Sequence, residues 1–213
     1  WLLDTYGTAE TLSSSISIHD RILTEQIPSS QDFLATILEA MKSNIVLRMT
    51  FHSFTMTKAK TFLVEPYCVK MSAQRWYMLA RNVDYNYLRL YSLDRMEDVW
   101  LTDAHFALPK DFCAKEYFAE YYGIVLDESA PLQRIVLRAD KYHQHYMRTL
   151  PLHPSQREIF TCDDYADFEL TLRPTYDFYM KLMSFGNMIK VLEPESLQEK
   201  IYKWLEKTIE IYK

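Results

Sequence analysis

Gln74-Arg75-Trp76-Tyr77-Met78-Leu79-Ala80-Arg81 is the stretch from which the fold is read. In an extended strand, successive side chains point to opposite faces, so Trp76, Met78 and Ala80 share one face. Arg75, Tyr77, Leu79 and Arg81 share the other. The first set reads as a core face, and the second puts a phenol between two guanidiniums. The same period of two governs the flanks. Upstream, Ile45, Leu47, Met49 and Phe51 alternate with Asn44, Val46, Arg48 and Thr50. Thr61–Lys70 and Tyr87–Leu93 are short runs rich in Tyr, Val and Leu, bounded by polar turns, and predict two more strands. Ahead of them, Phe33, Leu34, Ile37, Leu38 and Met41 fall on one helical face, while Ser29 and Asp32 fit a loose capping box. The prediction is a helix from about Ser30 to Lys42, then a small barrel or strongly bent sheet.

The segment Asp103–Tyr122 has mixed signals, with a helical turn or two expected in Ala114–Tyr121. A second pattern begins near Pro131. Ile135 and Leu137 sit in a strand, Asp140 to Leu150 reads as a helix, and Arg157–Cys162 and Phe168–Arg173 read as strands. Asp177–Ser184 is a helix ended by Gly186, Asn187–Leu192 is a strand, and an amphipathic helix follows Pro194. The order β-α-β-β-α-β-α is that of a ferredoxin-like unit with an added C-terminal helix. The fold class is therefore α+β. Its divisions are a connector over 1–28, with a short helix around His19–Leu23, a barrel-like domain over 29–126 and a second domain over 127–213.

Much chemistry is excluded. Three glycines, Gly7, Gly123 and Gly186, leave no room for the glycine-rich phosphate loops or a nucleophile elbow. His143 and His145, two apart, face different directions on a helix and read as surface residues. Asp163–Asp164 reads as a turn. Cys68, Cys113 and Cys162 are odd in number and far apart, which argues against a disulfide framework or a zinc knuckle and for thiols in a reducing cytoplasm. No metal, cofactor or enzymatic activity is expected. No apolar run approaches the ~18 residues of a membrane helix. The chain opens on Trp1 rather than Met, and a natural N-terminal part is expected to precede it.

The formal charge is −5, but it is unevenly spread. From Lys42 to Arg95 nine Lys and Arg face three acids, so this stretch is +6 and the remainder −11. A basic segment on an acidic chain favours an anionic partner for one domain. Arg75, Tyr77 and Arg81 on one strand, with Arg89, Tyr91 and, if that strand continues, Arg95 on the next, supply what an oligonucleotide needs: guanidinium forks for phosphates and rings for bases. The alternative is that these arginines pair with Asp84, Asp94 or Glu97 while the tyrosines cover core edges. Composition leaves both open.

Three blocks carry a family resemblance: Val64-Glu65-Pro66-Tyr67-Cys68-Val69-Lys70, Arg75–Arg81, and Leu88-Arg89-Leu90-Tyr91-Ser92-Leu93-Asp94-Arg95-Met96. In order and spacing they resemble the WYL-domain family of bacterial transcription regulators, with Trp76-Tyr77-Met78 at the naming tripeptide. Leu172–Asp177, Ser184-Phe185-Gly186 and Val191–Pro194 resemble the WCX extension that follows it. Trp1-Leu2-Leu3-Asp4 resembles the connector behind a winged helix-turn-helix, which is itself absent from these 213 residues. The resemblance implies an Sm-like barrel followed by a ferredoxin-like domain. It implies a cytoplasmic homodimer that senses single-stranded DNA or a nucleotide and controls an attached domain on operator DNA. It implies a ligand site at Tyr77, Arg89 and Arg95, with Ser53 and Lys70 lining it and His52 a weaker member; Arg75 and Arg81 join from the strand pattern. The competing expectation is an interaction module in which the same residues make protein contacts.

Overall fold

The structure, a computed structural model, describes residues 32–55 and 57–213. The predicted connector and the capping residue Ser29 lie outside them. Helix α1 (Leu34–Ser43) stops where Asn44 turns left-handed, at φ 52°, and its amide closes on the Ala40 carbonyl. The chain passes directly into β1 (Ile45–Phe51). Strands β2 (Lys60–Ser72), β3 (Arg75–Asn82) and β4 (Tyr87–Ser92) follow. A 3-10 turn (Leu93–Arg95) leads into β5 (Met96–His105). Ala73 and Gln74, with φ of 45° and 63°, make the two-residue turn between β2 and β3, the primed geometry that matches strand twist.

All four pairings are antiparallel, in the order β4-β3-β2-β1-β5. The sheet is open: β4 and β5 are its edges, so the expected closed barrel is corrected to a bent sheet. Strand β2 slips register at Pro66, whose missing N–H suits a bulge. Leu47, Met49, Phe51, Val64, Met78, Ala80 and Tyr91 form the inner core with Ile37 and Ala40 of α1. Trp76 packs at its edge, so the core face read from the sequence is the one observed.

The connector begins with Phe106 and carries α2 (Ala114–Tyr117). It covers the outer face of the sheet. Tyr67 stacks on Phe106 (6.0 Å) and meets Phe112 edge-on (5.1 Å), while Lys70 lies 4.1 Å from the Phe118 ring centre. Tyr77 and Leu79, on the face opposite Trp76, Met78 and Ala80, are consequently buried.

The second unit runs β6 (Gln133–Asp140), α3 (His143–Thr149), β7 (Arg157–Thr161), β8 (Tyr165–Leu172), α4 (Tyr176–Ser184), β9 (Ile189–Glu193), α5 (Glu195–Ile211). This is the element order expected. Its antiparallel sheet is ordered β7-β8-β6-β9. Residues of α3, α4 and α5 (Met147, Phe178, Leu182, Leu197) pack on one face against Ile135, Leu137, Phe168 and Leu170. Helix α3 starts later than predicted because the Asp140 carboxylate accepts the amides of Tyr142 and His143 at 3.0 and 2.7 Å, capping the turn.

Candidate ligand site

The antiparallel register decides which predicted residues can meet. Tyr77 pairs with Ser92, Met78 with Tyr91 and Ala80 with Arg89. Directly paired residues share a face. Arg89 therefore lies on the Met78–Ala80 face and Tyr77 on the opposite one, while Arg95 bonds Ser92, the residue paired with Tyr77, and its charge reaches the Tyr77 phenol. Strand β4 also ends at Ser92, and Arg95 is delivered by the 3-10 turn instead of by a continued strand.

Arg89 and Arg95 flank one pair of rings. Phe51 and Tyr91 meet edge to face with centroids 5.2 Å apart. The Arg89 guanidinium carbon is 5.7 Å from the Tyr91 ring centre, and that of Arg95 is 5.6 Å from Phe51 and 4.6 Å from Phe54. Arg95 Nε donates to the buried Ser92 hydroxyl at 2.5 Å. Its two terminal amino groups make no hydrogen bond among the described residues. Of the arginines there, Arg75, Arg81, Arg134, Arg138, Arg148, Arg157 and Arg173 each hold a carboxylate. Arg48, Arg89 and Arg95 do not, and each lies against an aromatic ring. Aromatic backing orients a guanidinium without neutralising it, leaving its donors to an anion.

His52 and Ser53 border this place. The His52 amide donates to the Arg95 carbonyl at 3.0 Å, and its ring lies 3.7 Å from Glu97. Ser53 is buried, and its hydroxyl accepts the Thr55 amide at 3.3 Å and bonds the Thr55 hydroxyl at 3.0 Å. Its hydroxyl shapes the loop. Phe54 belongs to the same place and was missed; a lone aromatic in a polar loop carries no periodic signal.

Tyr77 and Lys70 open instead on a cleft of about 640 Å³ between the sheet and the second unit, walled by Tyr122, Tyr176 and Lys181. Burial raises the Tyr77 pKa and lowers that of Lys70. Lys70 Nζ donates to the Gly123 carbonyl at 2.6 Å, and Asp177 Oδ2 accepts the amides of Ile124 and Val125 at 2.7 and 2.9 Å. Lys70 thus fastens the connector at the cleft that it lines. Arg81 grips Glu65 with both sides of its fork, at 2.6 and 2.5 Å, and Arg75 meets Asp94 at 3.3 Å. For these two the structural alternative holds, with Glu65 rather than Asp84 as the partner of Arg81.

Among the described residues no three His, Cys, Asp or Glu converge as a metal cage, and no helix is long and apolar enough to cross a membrane.

The WYL domain family matches residues 32–101 and the WCX domain family residues 131–209. No curated protein sequence matches the chain. Among solved structures, proteasome accessory factor B/C (PafBC) of Arthrobacter aurescens is similar, at 21% identity and a TM-score of 0.41, over 84% of this chain and 27% of that one. A CRISPR Cas-related protein is similar at 12% identity and a TM-score of 0.44, over 86% of this chain and 52% of that one. The chain thus spans about a quarter and about half of their lengths.

Proposed function

The chain belongs to the WYL-domain family and carries a WCX domain behind its WYL domain, and from that premise we propose that it is the ligand-sensing region of a bacterial transcription regulator. Its effector is an anionic ligand, a nucleic-acid segment or a nucleotide. The observation that carries this reading is the pair Arg89 and Arg95, ring-backed and without a carboxylate partner among the described residues. Arg95 presents a two-point fork to phosphate, and Arg89 supplies a second charge across the Phe51–Tyr91 pair. The signal passes to an attached DNA-binding domain that acts on operator DNA, and the protein works as a cytoplasmic binder without turnover. Nucleotide hydrolysis that depended on Tyr77 would overturn that last point.

The sheet order β5-β1-β2-β3-β4 supports an opened Sm-like barrel, and β7-β8-β6-β9 with its helices on one face supports the ferredoxin-like form. A homodimer is part of the proposal, since regulators read paired half-sites. The exposed end of α5, where Ile209, Ile211 and Tyr212 are 55%, 81% and 86% exposed, favours it as a contact.

The test is fluorescence anisotropy of short single-stranded DNA and RNA on the whole chain, at low and physiological salt, against Arg89→Glu/Arg95→Glu. Salt-sensitive binding lost in the variant is the expected result. Equal binding by both proteins would overturn the site; binding by neither would favour the interaction module.

A further inference from the structure

Phe54 leaves 83% of its surface in water, although it stands in a loop that is tied down on both sides. The His52 amide fixes one end to the Arg95 carbonyl, and the Ser53 hydroxyl fixes the turn through Thr55. The ring lies on the Arg95 guanidinium, which is held in turn by Phe51 and Ser92. The inner core ends at Phe51, and among the described residues the ring contact of Phe54 is with that arginine. An exposed ring held in register with a guanidinium whose terminal amino groups have no hydrogen bond among the described residues is a stacking surface with a phosphate fork beside it.

We infer that Phe54 is a base-stacking platform, so that the site takes an unpaired base on the outer face of Phe54 with its phosphate on the terminal amino groups of Arg95. This rests on the reading of Arg89 and Arg95 as the phosphate-holding pair, and it narrows the ligand class. Every nucleobase has a face that stacks on a ring, but only a base outside a duplex can offer it. The site therefore accepts single-stranded nucleic acid or free nucleotides of any sequence and discriminates against duplex. Arg95 cannot supply this discrimination alone, because a phosphate fork meets the same group on either form.

The experiment separates the base from the phosphate. The whole chain is titrated by fluorescence anisotropy with three probes of about ten nucleotides, within the span of common single-strand sites: oligothymidine, the same backbone with abasic sites, and a duplex of equal length. Phe54→Ala should weaken the thymidine probe roughly 5- to 150-fold, the range found when a stacking aromatic is removed. It should leave the abasic probe unchanged and erase the preference over duplex. Phe54→Trp should restore binding and report it by quenching of the indole. Because Phe54 is exposed, circular dichroism should find both variants folded. If Phe54→Ala weakens all probes equally, or none, the stacking role is overturned while the arginine reading stands. If Arg89→Glu/Arg95→Glu leaves the abasic probe unaffected, the arginine reading falls on its own evidence. If the wild-type chain binds no probe, both fall.

Discussion

Gly123→Ala should be among the most damaging small substitutions in the chain. Gly123 sits at φ +80°, where a Cβ would lie 2.4 Å from Asp177 Oδ2 and 2.8 Å from its Cβ. Left-handed backbone costs a non-glycine residue roughly 1–2 kcal/mol. The contact with Asp177 adds to this, because the carboxylate cannot move away and still accept the amides of Ile124 and Val125 at 2.7 and 2.9 Å. Each hydrogen bond to a charged group contributes about 1.5 kcal/mol at the low end suited to a half-exposed position. The loss should be about 4–5 kcal/mol in all, a fall in Tm of roughly 8–20 °C for a chain of this size. Urea unfolding followed by circular dichroism measures it. In an Asp177→Gly background, which removes the carboxylate and the Cβ alike, that clash disappears, and adding Gly123→Ala should cost only the ~1–2 kcal/mol of backbone strain. A single-variant loss below about 1 kcal/mol, or equal losses in both backgrounds, would refute the reasoning.

Arg81→Ala leaves the Glu65 side chain, 7% exposed, without its counter-ion. It should cost about 2–3 kcal/mol, less than a fully buried pair because Arg81 is 36% exposed. Replacing both residues by leucine should recover part of that loss in the same urea assay. Acid should unfold the chain through its held carboxylates. Arg157 and then Arg134 lower the pKa of Glu169, Arg148 lowers that of Glu158, and the His143 amide lowers that of Asp140. Groups whose folded pKa lies below the unfolded value stabilise the fold above the unfolded value and cease to as pH falls through the folded one. The urea midpoint should hold from pH 7 to about 5 and fall steeply below about 4.5; a flat profile to pH 3 would contradict this.

Most of the secondary structure was legible because its apolar periods are clean. Ile45–Phe51 and Arg75–Asn82 are strands as read, and the second unit follows its predicted order element by element. Strand β5 was not anticipated: of its ten residues only Met96 and Val99 are buried, so its alternation is too sparse to read. The site was legible in residue type but not in arrangement. Alternation along single strands groups Arg75, Tyr77 and Arg81, and separately Arg89 and Tyr91. It does not say which row of one strand faces which row of the next. That depends on register, which the Ala73–Gln74 turn and the following loop set. Nor could spacing foresee that Phe106, Phe112 and Phe118 would cover the outer face. Glu65 was a partner for Arg81 across strands and sixteen residues away, so local charge pairing pointed to the wrong acids.

The central claim is that Arg89 and Arg95, not the ion-paired arginines beside them, hold the effector's phosphates. The most direct measurement is the slope of log affinity against log salt for a single-stranded oligonucleotide. It should be compared between wild type, Arg89→Ala/Arg95→Ala and the control Arg75→Ala. Each phosphate contact on a single strand contributes about 0.7 to that slope, so the double variant should lose about 1.4 while Arg75→Ala keeps the wild-type value. An unchanged slope in the double variant, or an equal loss in the control, would contradict the account.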